Sequence, residues 1–185
     1  MPDQLFPRCI ITLNKSGVQI LRNIPGAIGD GVAYFNGYYS SAIIPLFANN
    51  DFGNKFVITF RYQETAVTGR TYKSEALISN VGCTSPSSVA VTFNRTASET
   101  VGKIRTSLNG TQTAAVKNNK VSWKQVQYTY NGEHLIVVVD GEVTHVQAAG
   151  DIEIAQGAIQ LGVGCKGYDR FTGYMDELYI YKCLV

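Results

Sequence analysis

The sequence predicts an all-β chain folded as two packed antiparallel sheets. Three observations carry this. Apolar and polar residues alternate at a period of two along most of the chain, turn dipeptides recur at short intervals, and no segment keeps an apolar stripe at helical spacing. The totals agree: 185 residues, 45% hydrophobic and 16% charged, suffice for one domain with a sizeable core. No composition break, internal repeat or low-complexity tract divides residues 1–185, which we read as a single domain.

Taken in order, the strands begin with the extended segment around "GVAYFNGYYSSAIIPL" and continue with "KFVITFRYQ" (55–63), "EALISN" (75–80) and "SSVAVTFN" (87–94). "VGKIRTSL" (101–108) alternates basic and apolar residues, and "VQYTYNG" (126–132) and "HLIVVVDG" (134–141) form a ribbon. "GAIQLGVG" (157–164) and "GYMDELYIYKC" (173–183) complete the set. Val, Ile, Thr, Tyr and Phe dominate these runs because they fit a pleated, half-buried surface. Asn36-Gly37, Asn109-Gly110, Asn131-Gly132 and Asp140-Gly141 suit type I′ turns, whose two central residues both need positive φ. A short helical turn is expected only in "PLFANNDFG" (45–53). "TSPSS" (84–88) and "VKNNK" (116–120) read as loops.

A formal charge of +2 gives no electrostatic reason for a nucleic-acid partner. No run approaches the roughly 18–20 apolar residues of a membrane span, so no membrane insertion is expected. The opening "MPDQLFPRC" lacks the basic and apolar regions of a signal peptide, and we read Met1 as standing where a leader was excised. Three sequons, at Asn14, Asn94 and Asn109, favour an extracellular setting, secreted or as an ectodomain fragment. The four cysteines (Cys9, Cys83, Cys165 and Cys183) lack C-x-x-C spacing, and they allow three pairings or four buried thiols.

The order of the motifs adds to this. "GVAYFNGYYSSAIIPL", "FVITFRY", "ALISN" and "SVAVTFN" are followed by Trp123 with its double hairpin, "GAIQLGVG" and "FTGYMDELYIY". That succession, from about Val32 to Tyr181, resembles the laminin G-like domains of the concanavalin A-like jelly-roll superfamily. The resemblance implies a curved two-sheet jelly-roll sandwich whose first and last strands lie side by side. It implies disulfides Cys9–Cys183 and Cys83–Cys165, and the main alternative pairs Cys165 with Cys183 as a local C-terminal staple.

Chemistry is sparse. Asp176 and Glu177 are adjacent on a strand, so a regular pleat points them to opposite faces. Asp151 and Glu153 share a face but stand beside a turn, where solvent is the expected partner. His134 and His145 lie on neighbouring strands, close enough for a metal pair but read as solvent-facing. No nucleophile elbow or phosphate loop is present, and we expect no enzyme. The resemblance brings in a rim calcium site, but the positions of its acidic ligands here hold Ser85, Pro86, Ser87, Ala155 and Gln156, which departs from what calcium needs. It leaves one metal candidate, a structural calcium on Asp176 with Asp30 and Asn36 as neighbours. Otherwise Asp176 bonds loop backbone. No other cofactor is expected.

Two ligand surfaces follow from composition. Tyr38 and Tyr39 after the Asn36-Gly37 turn, and Tyr168, Asp169 and Arg170 in "CKGYDRF", combine rings with polar groups in the manner of a glycan contact. Trp123 reads as core. Lys103 and Arg105 alternate on one strand face, with Lys117 and Lys120 nearby, a basic patch for sulfated polysaccharide or a plain solvated face. The reading is a recognition module for glycan or matrix polysaccharide. Its alternative is a protein-binding adhesion module of a larger extracellular protein.

Overall fold

The fold comes from a computed structural model, which describes residues 14–45, 52, 54–66, 74–80, 87–155, 157–163 and 169–182. No helix is present among them beyond a single 3₁₀ residue at Pro45. The four cysteines, Tyr168 and most of the 45–53 segment lie outside the described residues, and so do the two disulfides expected above.

The strands are β1 (Asn14–Ser16), β2 (Gln19–Leu21), β3 (Val32–Asn36), β4 (Ser41–Ile44), β5 (Phe56–Glu64), β6 (Ser74–Ser79), β7 (Val89–Asn94) and β8 (Glu99–Thr106). They continue with β9 (Gly110–Lys117), β10 (Lys124–Tyr130), β11 (His134–Val139), β12 (Glu142–Gln147), β13 (Ile159–Leu161), β14 (Asp169–Arg170) and β15 (Thr172–Lys182). One sheet runs β12-β11-β10-β5-β15-β3-β2, and the other runs β1-β4-β13-β6-β7-β8-β9 with β14 added in parallel to β6. The last strand, β15, is flanked by β3 and β5, while β1 sits in the opposite sheet beside β4, so the first and last described strands are not neighbours. The N-terminal strands that do approach β15 are β3 and, one place further out, β2.

The period-two pattern works as the sequence predicts. In β5, Phe56, Ile58, Phe60 and Tyr62 are buried while Val57, Thr59, Arg61 and Gln63 face outward. Their partners Val126, Tyr128 and Tyr130 on β10 and Leu135, Val137 and Val139 on β11 meet Val89, Val91 and Phe93 of β7 in one core. Each such side chain contributes roughly 1.5–3 kcal/mol by leaving water. Hydroxyls tie the layers together. Tyr62 Oη and Thr100 Oγ1 are 2.8 Å apart, and Tyr128 Oη donates to the Lys103 carbonyl at 2.6 Å. Burial drives the pKa of both phenols up.

Only one of the four turn dipeptides has both residues at positive φ: Asp140 (49°) and Gly141 (92°), joining β11 to β12. In the others the glycine alone is left-handed. The asparagine instead uses its side chain. Asn131 Oδ1 accepts from the amides of Glu133 and His134, and Asn36 Oδ1 from those of Tyr38, Tyr39 and Ser40.

Candidate functional site

The outward face of the seven-stranded sheet divides into a covered half and an open half. The cover is the loop between β2 and β3, which crosses the sheet and is held at three points. Trp123 Nε1 donates to Pro25 O at 2.9 Å, Arg61 Nη2 to Gly26 O at 3.0 Å, and the Ile28 amide to Asp176 Oδ2 at 2.9 Å. Trp123 is thereby buried, with the Arg61 guanidinium 5.1 Å from its ring centre and Tyr174 on another side. Gly26 lies so close that a Cβ there would meet Trp123 Cδ1 at 2.7 Å, and its φ is +78°.

Beyond this loop the face is open. Cross-strand registers place Val143, Val138, Gln127, Thr59 and Tyr179 in one row, and His145, Ile136, Thr129, Val57 and Tyr181 in the next. At about 4.8 Å per strand the band is about 19 Å wide. None of these side chains is a carboxylate, ammonium or guanidinium. At the β15 side, Tyr179 and Tyr181 are about half exposed, with ring centres 6.3 Å apart and planes 21° from parallel. Tyr179 Oη donates to Glu177 Oε2 at 2.8 Å, which fixes the ring's direction, and that bond together with the carboxylate charge raises the phenol pKa. Thr59 and Val57 of β5 stand next to the pair, and one strand further Gln127 brings an exposed amide, joined at 3.3 Å to the buried Thr129 hydroxyl. Rings held near parallel beside hydrogen-bonding groups are the elements of a sugar-stacking surface.

A bulge makes this arrangement. Between Asp176 and Tyr179 the register of β15 against β5 shifts, with Glu177 at φ 53°. Regular alternation therefore does not decide where Asp176 and Glu177 point. Asp176 uses Oδ2 for the Ile28 amide and Oδ1 for the Glu177 amide, so it bonds loop backbone. Asn36 has its carbonyl oxygen directed into its own turn, and Asp30 lines a recess within the β2–β3 loop. Among the described residues no three His, Cys, Asp or Glu side chains group as metal ligands.

Tyr38 and Tyr39 are both strongly exposed, at 68% and 64%. Their turn lies at the same end of the sandwich as Arg170, because Asn36 pairs with Thr172, two residues after Arg170. Asp169 begins β14, opposite Glu75. The structure therefore brings Tyr38, Tyr39 and Arg170 to one rim, apart from the Tyr179–Tyr181 band. The basic residues are not brought into one field. Arg105 Nε lies 2.6 Å from Glu153, Lys120 Nζ 3.3 Å from Asp140, and Lys117 stands opposite Glu99, while Lys103 faces outward near Arg105. Burial pushes the Asp140 carboxyl up, but the Gln125 amide, Lys120 and Asn118 outweigh it and hold the pKa low. Of the sequons, Asn94 caps the β7–β8 turn through its amide oxygen and Asn109 accepts from the Ala149 amide through its own. Asn14 opens β1.

Sequence reasoning passed over two features. Tyr179 and Tyr181 were legible in "ELYIYK", where residues two apart share a face. The second is a charged cluster at the rim. Lys124 is fully buried and places Nζ 2.6 and 2.7 Å from the two oxygens of Glu64. Arg95 grips buried Glu75, which also accepts from the Thr172 amide. Between the sheets, near β2 and β15, lies a cavity of about 290 Å³ lined mainly by apolar side chains such as Phe35, Phe60 and Met175.

No family model and no curated protein matches the chain. Solved structures do. Domains LG4-5 of the mouse laminin alpha1 chain match at TM-score 0.63 and 13% identity, over 80% of this chain and 40% of that one. The fold is laminin G-like. The binding domain of Paraclostridial Mosquitocidal Protein 1 matches this jelly roll at TM-score 0.70 and 15% identity, over 93% and 44%. Domain 4 of AbnA, an extracellular arabinanase from Geobacillus stearothermophilus solved in complex with arabinotriose, matches at 0.58 and 14%, over 92% and 81%. The chain spans less than half of the laminin and mosquitocidal-protein chains. At these identities the likeness concerns the fold.

Proposed function

We propose that this laminin G-like sandwich is a non-enzymatic recognition module of an extracellular protein, and that its ligand is a neutral glycan held on the open half of the seven-stranded sheet. The carrying observation is the Tyr179–Tyr181 pair, near parallel, half exposed and oriented by Glu177 on a band without charged side chains. Tyr rings offer apolar faces to sugar C–H groups, and Thr59 beside them and Gln127 one strand further offer partners for hydroxyls. The rim with Tyr38, Tyr39 and Arg170 is a secondary contact for a longer chain. A structural calcium stabilising the β2–β3 loop would have to use Asp176 and Asp30 without Asn36, which lies opposite Thr172, four residues from Asp176 along β15, and turns Oδ1 into its own loop.

A second reading has one observation in its favour. The β11–β12 side of the band is aliphatic, with Ile136, Val138 and a Val143 that is 60% exposed, which suits a protein partner. Affinity electrophoresis through gels holding arabinan, xylan, β-glucan or heparin, each with calcium and with chelator, separates the readings. Retardation by a neutral polysaccharide supports the glycan reading. Retardation by heparin alone moves the site to Lys103 and Arg105, and no retardation in any gel favours the protein partner. Loss of retardation in chelator places calcium in the site.

A further inference from the structure

We infer that His134 and His145 form a two-histidine chelate for a late divalent transition metal such as zinc, nickel or copper, at the free edge of the same sheet. The backbone presents the pair. β11 and β12 are joined by the tight Asp140-Gly141 turn, and their register sets His134 opposite Gln147 and Ile136 opposite His145, so the histidines are diagonal neighbours. Both alternate with core residues Leu135 and Val146 and therefore project from the outer face. The start of β11 is fixed, since Asn131 Oδ1 accepts from the His134 amide at 2.8 Å. β12 is the last strand of its sheet, and on the outer face His145 is exposed and His134 partly so.

The ring spacing suits one shared ion. The two ring centres are 6.1 Å apart and the planes 70° from parallel. A metal–nitrogen bond of about 2.0–2.1 Å puts each ring centre about 3.2 Å from a shared ion. Ring centres would then be about 5.2 Å apart for tetrahedral ligation and about 6.4 Å for linear ligation. The observed spacing lies between these limits, within about 0.9 Å of the tetrahedral one, a distance that small χ1 and χ2 rotations cover. Imidazole nitrogens select zinc, copper and nickel over calcium and magnesium. Water, or the Gln147 amide oxygen across from His134, completes the shell, so the bound ion keeps exchangeable positions beside the band.

The test is nickel titration of the full chain, followed through the imidazole proton signals of each histidine. Nickel should broaden both rings together below one equivalent, and binding should weaken as pH falls and the imidazoles protonate. His134→Asn and His145→Asn should each weaken binding by more than about tenfold, since even an outer partner of a metal ligand is worth about 10–100-fold. Both variants should melt with wild-type cooperativity without metal, which separates lost ligation from lost folding. The inference is overturned if the rings respond independently with unchanged affinity in the single variants. It is overturned equally if ten equivalents of nickel leave both signals sharp.

Discussion

Replacing Glu64 with Gln probes how the rim of the sandwich is held. Lys124 is inaccessible to solvent, and its ammonium sits on both Glu64 oxygens while lying 5.3 and 5.2 Å from the ring centres of Tyr62 and Phe93. Glu64→Gln keeps the shape but leaves that charge facing a neutral amide and two ring faces. Breaking a buried pair from one side costs about 3–5 kcal/mol, and the 16% exposure of the Glu64 side chain, which admits water, argues for about 3. For a chain of this size that is a loss of about 6–12 °C in Tm. Lys124→Met should cost less, because the abandoned carboxylate reaches solvent while an abandoned ammonium does not. The double variant should then fall short of the sum by about 0.5–3 kcal/mol, the coupling expected of groups in contact. Urea and thermal unfolding of the four proteins complete the cycle. A Glu64→Gln variant within about 0.5 kcal/mol of wild type, or an additive double, would refute the reasoning.

Other outcomes follow from the loop and the buried phenols. Gly26→Ala should destabilise by about 1–3 kcal/mol, because φ +78° disfavours a side chain and the new Cβ runs into Trp123. Asp176→Ala removes the acceptor for the Ile28 amide and should loosen the loop over the single tryptophan, read as a red shift of its emission. An unshifted spectrum would show that Trp123 and Arg61 hold the loop without it. Alkali should unfold the protein. Burial raises the folded pKa of Tyr62 and Tyr128, so their contribution is complete below the unfolded value of about 10 and is lost as pH rises past it. Tyrosinate absorbance from these two should therefore appear only together with loss of structure, and earlier ionisation would contradict their burial.

The architecture was legible because alternation is a local signal: "KFVITFRYQ" becomes β5 with its apolar residues inward, and the ribbon from 124 to 147 pairs in the register its turns demand. The face proposed to take the ligand was less so. Strand order decides which rows stand side by side, and Tyr179 comes to face Thr59 across a pairing between residues far apart in sequence. The bulge at Glu177 is a tertiary feature, and a non-glycine residue at φ 53° gives no compositional warning. The turn dipeptides marked the right places but overstated the backbone strain, since in two of them, Asn36-Gly37 and Asn131-Gly132, the asparagine side chain caps the loop instead. The Lys124–Glu64 pair was hidden because a lysine on an alternating strand reads as outward-facing, although its even-numbered position matches the core residues Val126 and Tyr128.

The most direct test of the account is a glycan array probed with the wild-type chain and with the Tyr179→Ala/Tyr181→Ala variant side by side. Both residues are exposed enough for the variant to fold, which its melting curve verifies. The account predicts selective wild-type binding to neutral glycans and loss of that signal in the variant. Wild-type silence across the array, or a signal the variant retains in full, would contradict it.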